Sequence, residues 1–132
     1  MNKSLQEMFQ KSSFSISEEK YVYVKVAKLS NELDHFMVAQ DEDEITVVTR
    51  QEKLSELEVI EKNDNLWRLV SLNLETPFMA GTLAAINSAC AKEGLNNLII
   101  STYSKDYIVI KDSQVEQVKA VLQGLGFKDD SQ

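Results

Sequence analysis

The feature that most constrains this chain is the way its apolar spacing switches between two and about 3.6 residues from Trp67 to Leu125. Val70, Leu72 and Leu74 recur at every second position with Ser71 and Asn73 between them, which predicts a strand over 67–74 with one covered face. Pro77 closes it. Met79, Leu83, Ile86 and Cys90 then fall at i, i+4, i+7 and i+11, a single buried stripe on a helix over 79–93 that Gly94 ends. Leu98-Ile99-Ile100-Ser101-Thr102-Tyr103 and Tyr107-Ile108-Val109-Ile110 flank the tight turn Ser104-Lys105-Asp106 and predict an antiparallel hairpin. Ser113 with Glu116 three residues on is a capping-box signature, and Val115, Val118, Leu122 and Leu125 mark the apolar face of a last helix, which Gly124 and Gly126 terminate.

Strand, helix, strand, strand, helix is the βαββα(β) order of a ferredoxin-like α+β sandwich with both helices on one face of an antiparallel sheet. Only Phe127 and a polar tail remain for its fourth strand. The first half is less regular. Leu5, Met8 and Phe9 suit a short helix within 2–11, Tyr21-Val22-Tyr23-Val24-Lys25-Val26 and Ile45-Thr46-Val47-Val48-Thr49 are β-branched strands, and Phe36-Met37-Val38 is a shorter one. Leu54, Leu57 and Ile60 sit at helical spacing across 51–60, and Glu61-Lys62-Asn63-Asp64-Asn65 is polar enough for a connector. The reading is therefore two units, 1–65 and 66–132.

Composition narrows the function. The net charge of −7 opposes binding to a phosphate backbone, so nucleic acid is not an expected partner. No apolar run approaches the roughly 20 residues that span a bilayer, and the first residues lack the apolar core of a secretory signal. A cytoplasmic protein without disulfides is expected, since Cys90 is the single cysteine. Asp41-Glu42-Asp43-Glu44 lacks the spaced ligands and central glycine of a calcium loop and reads as a solvated hairpin turn. The chain holds no HExxH, CxxC or GxSxG, and its four glycines form no phosphate cradle. His35 beside Asp34 suits a turn, and Cys90 on the buried stripe suits an inert core thiol. Neither a catalytic residue, a metal site nor a cofactor is expected.

The strand beginning at Trp67, the turn into a helix Thr76-Pro77-Phe78-Met79-Ala80-Gly81-Thr82-Leu83, and Ser101-Thr102-Tyr103-Ser104-Lys105-Asp106-Tyr107-Ile108-Val109-Ile110 resemble the C-terminal unit of tandem ACT-domain proteins. These include the regulatory part of aspartokinases and the cytosolic arginine sensors of animals. Residues 21–26 and the acidic turn before Ile45 resemble the N-terminal unit, which departs from the pattern because 18 residues with an apparent strand, and no full-length helix, separate its strands. That departure implies a unit that is incomplete or exchanges parts with the second. The resemblance implies a βαββαβ tandem that regulates, dimerises and binds an amino acid or similar small ligand between paired ACT units. Carried over, the ligand-binding positions are Glu75, Thr76, Gly81, Thr102, Tyr103 and Asp106. A helix N-terminus near Gly81 suits a carboxylate and Asp106 suits a cationic group. Gly81 serves equally for close helix–sheet packing, and Asp106 equally as a turn residue. A module that only dimerises or docks on a protein is the alternative.

Overall fold

Short alternating segments and two longer helical stripes set the elements of the computed structural model, which describes residues 1–29 and 34–131. In chain order they are α1 (Lys3–Gln10), β1 (Ser13–Ile16), β2 (Tyr21–Val26), β3 (Met37–Gln40), β4 (Ile45–Arg50) and β5 (Val59–Lys62). There follow β6 (Trp67–Asn73), α2 (Thr82–Lys92), β7 (Leu98–Ser101), β8 (Asp106–Lys111), α3 (Val115–Leu125) and β9 (Lys128–Asp129). Two compact units result: Glu18–Arg68, and Leu69–Gln132 together with Met1–Ser17.

The larger unit is α+β and ferredoxin-like, as its periodicities predict. β8 lies between β7 and β6, with β7 antiparallel to β8 from Leu98↔Val109 to Ser101↔Asp106. β1 pairs antiparallel with β6 from Ser13↔Asn73 to Ile16↔Val70, and β9 lies parallel to β1. α2 and α3 pack side by side, and Ile86, Cys90, Val118 and Leu122 join Phe14, Val70, Leu72, Ile108 and Ile110 in one buried core. α1 adds Leu5, Met8 and Phe9 to that core, and the rings of Phe9 and Phe127 sit 4.8 Å apart. Burying side chains of this size contributes about 1.5–3 kcal/mol each before the loss of chain entropy is counted.

In this larger unit three local expectations differ from what forms. The last strand is the two residues of β9, and it lies against β1 because β1 already occupies the edge of β6. Ser113 does not cap α3: it lies inside a 3-10 turn, Asp112–Gln114, and the residue at the cap position, Gln114, makes no side-chain cap hydrogen bond. The first 17 residues pack with the C-terminal half, whereas the sequence reading grouped them with 18–65. The cause is β1, whose Ser-Phe-Ser-Ile alternation places Phe14 in the core of the larger unit.

In the unit Glu18–Arg68, β4 lies between β3 and β2, and β5 takes the other side of β2. Val22, Val24, Val26 and Val47 form its core, with Ile45, Leu54, Leu57 and Leu66 packed on it. The helical spacing across 51–60 becomes a 3-10 turn, Gln51–Glu56, followed by β5, because Val59 to Lys62 satisfies backbone groups of β2 that a helix would leave unpaired. The acidic turn closes the β3–β4 hairpin, with the Asp43 and Glu44 N–H groups donating to Asp41 Oδ1 at 2.8 and 2.9 Å. On this unit's surface the Lys53 ammonium hydrogen-bonds Asp34 and the Arg50 guanidinium adds its charge, so the Asp34 carboxyl ionises below the usual range.

Candidate functional site

The loops at one end of the β6, β7 and β8 strands of the larger unit, together with the segment that joins α1 to β1, enclose a cleft of about 270 Å³. Its floor and walls come from Leu72, Asn73 and Leu74 where β6 ends, and from Glu75, Pro77 and Phe78 in the loop that leads to α2. Lys11 and Ser13 close one side, and Ser104, Lys105 and Asp106 the other. Two acidic and two basic residues therefore share the lining with apolar ones.

Local hydrogen bonds hold these walls. Ser12, buried after α1, donates from its hydroxyl to the Met8 carbonyl at 2.7 Å and accepts from the Glu75 N–H at 3.0 Å. That pair of bonds ties the Glu75 loop to the end of α1. The Thr76 hydroxyl donates to Glu75 Oε2 at 2.7 Å. Across the hairpin, Ser101 Oγ donates to Asp106 Oδ1 at 2.5 Å, and Asp106 is only 8% exposed. Thr102 donates from both its N–H (2.8 Å) and its hydroxyl (3.3 Å) to the Lys105 carbonyl, which fixes the turn that carries Ser104 and Lys105.

Of the six sequence-derived positions, the structure brings Glu75 and Asp106 to the cleft. Thr76 and Thr102 act on it at one remove, by bonding Glu75 and the 102–105 turn. Tyr103 projects from the apex of that turn, 98% exposed, and is not part of the lining. Gly81 is likewise outside it: it precedes α2 at φ 91°, and a Cβ there would meet only Leu5 Cδ2 at 3.9 Å. The left-handed backbone, rather than close packing, is what calls for glycine at 81. Lys11, Ser12 and Ser13 were not identified from sequence, because nothing local marks a segment some 60 positions away in the chain.

Other chemistry-bearing groups lie elsewhere. Burial pushes the Cys90 thiol up, which keeps it protonated within the core. His35 Nδ1 is 2.9 Å from Thr49 Oγ1 in the unit Glu18–Arg68. Among the described residues no group of His, Cys, Asp and Glu is arranged to hold a metal ion, and no helix is long and apolar enough to cross a membrane.

The segment that carries β6, α2, β7, β8 and most of α3 matches a known sequence family. Residues 63–124 fit the sequence model of the ACT domain. That segment, a little under half of the chain, is similar to an ACT domain. Solved structures agree on the fold. A Vibrio cholerae protein of unknown function, described as a possible transport protein, superposes with a TM-score of 0.81 at 22% identity, over 94% of this chain and 97% of its own. A putative C-terminal regulatory domain of aspartate kinase from Porphyromonas gingivalis gives 0.58 at 16% identity, over 89% and 98%. The ligand-free regulatory subunit of aspartate kinase from Thermus thermophilus gives 0.56 at 10%, over 85% and 95%. No curated protein matches the sequence. At these identities the likeness is one of architecture, and the chemistry of the cleft follows from its own residues.

Proposed function

We propose that this ACT-domain chain is a non-catalytic regulatory or sensor module whose ligand is an amino acid or a similar small zwitterion. The observation that carries the reading is the lining of the 270 Å³ cleft, where Lys11 and Lys105 stand with Glu75 and Asp106. A zwitterion presents a carboxylate for an ammonium and an ammonium for a carboxylate, and both pairings are charge-assisted hydrogen bonds. A nucleotide, with several negative charges, is poorly matched to a balanced lining. Likeness to regulatory domains of aspartate kinases supports a control function, and a second copy of the chain supplies the paired ACT unit in this reading.

The test is a thermal-shift screen of the proteinogenic amino acids followed by calorimetry. A ligand at 100-fold over its dissociation constant adds about 2.7 kcal/mol of stability. Asp106→Ala weakens binding by about 1–3 kcal/mol, the scale of a lost charged hydrogen bond. If no amino acid shifts unfolding while light scattering gives about twice the 15.0 kDa of one chain, the module pairs without a ligand and this reading falls.

A further inference from the structure

Phe78 is the one non-glycine residue among those described that holds a positive φ, at 61°. A left-handed backbone is costly for a bulky L-residue, and such outliers persist where the surroundings enforce them. Here the result is a ring left 74% exposed in the wall of the cleft. Both features are unfavourable for the unit by itself: the backbone is strained, and a large apolar face stays in water instead of the nearby core. Pro77 sits beside it with φ fixed by its ring, and Leu74 completes an apolar wall contributed by one loop. The four charged groups of the lining are matched by the two charges of a zwitterion, which leaves this wall for the remainder of the ligand.

We infer that Phe78 is the specificity-determining residue of the cleft, and that the ligand is an amino acid with an apolar side chain lying against Phe78, Pro77 and Leu74. This inference rests on the ligand-binding reading above. Binding covers the exposed ring and so recovers the apolar burial that the free protein lacks. The strained backbone is the means by which the ring is kept at the cleft.

Calorimetry on the full chain with L-leucine, L-phenylalanine, glycine, L-aspartate and L-lysine tests it. Leucine or phenylalanine should bind about 10-fold or more tighter than glycine, the scale of burying part of one apolar side chain. Phe78→Ala should remove most of that about 10-fold preference and leave the affinity for glycine nearly unchanged. Phe78→Gly should cause the same loss while its thermal midpoint stays level or rises, because strain relief offsets added chain freedom. Phe78→Trp should retain the preference. Binding that favours aspartate or lysine, or a leucine affinity that ignores Phe78→Ala, overturns this inference alone. A marked fall in stability on Phe78→Gly also overturns it, by showing that the ring serves the fold. Absence of binding by all five overturns this inference, and absence of binding by every proteinogenic amino acid in the screen above overturns the ligand reading as well.

Discussion

Replacing Gly126 with alanine tests how α1 is seated in the larger unit. Gly126 ends α3 at φ 113°, and its N–H and that of Phe127 donate to the carbonyls of Gln123 and Leu122 at 3.0 Å, closing the helix. A Cβ at this position would stand 3.1 Å from Gln10 Cγ, 3.3 Å from Gln10 N and 3.5 Å from Gln10 Cα. The Cγ can swing aside. The backbone nitrogen cannot move without shifting the last turn of α1, whose Phe9 lies against Phe127. The left-handed conformation costs an alanine about 1 kcal/mol, and overpacking against backbone adds about 1–2 kcal/mol. Gly81→Ala isolates the first contribution, since it shares a positive φ of 91° but meets only Leu5 Cδ2 at 3.9 Å. It should cost about 1 kcal/mol. Gly124→Ala lies within α3 with nothing within 4 Å of a Cβ, and should stabilise by about 0.5–1 kcal/mol through helix propensity. Urea unfolding followed by far-UV circular dichroism reads all three. With a slope of about 2 kcal/mol per molar, Gly126→Ala should lower the midpoint by about 1–1.5 M. A cost within about 0.5 kcal/mol of that of Gly81→Ala would refute the close approach of α1 to the end of α3.

Leu122→Ala empties a fully buried site between α3 and the sheet and should cost about 2–5 kcal/mol in the same assay. Burial raises the Asp129 carboxyl, but hydrogen bonds from the Ser131 N–H and hydroxyl and from Lys119 outweigh it, so its folded-state pKa lies below the usual 3.8. Its contribution is complete above pH 3.8 and is lost as pH falls through the lower folded-state value, so Lys119→Met should cost up to about 1 kcal/mol at neutral pH and progressively less as the pH is lowered below 3.8. Cys90, buried with its thiol pushed up, should react with a disulfide reagent only on unfolding, and rapid native-state labelling would contradict its place in the core.

Local patterning determined much of this protein. The stripe through Ile86 and Cys90, the stripe through Val118 and Leu122, and the alternation of Val70 and Leu72 specify elements whose covered faces are apparent before any contact is known. The hairpin of β7 and β8 follows from two β-branched runs around a short polar turn. Glu75 and Asp106 came from the resemblance to ACT-domain proteins, and they lie where such elements end or begin. Other features depended on contacts distant in sequence. β1 is four residues with two serines, too short for a periodic signal, and only the open edge of β6 makes it a strand. β5 reads as the end of a helix until β2 offers it backbone partners. The Ser12 hydroxyl that anchors the Glu75 loop, and the Lys11 and Ser13 that complete the cleft, arrive with β1 from the other end of the chain. Periodicity records which face a segment buries, whereas sheet pairing and cleft walls depend on which backbone groups remain unpaired once the other elements have packed.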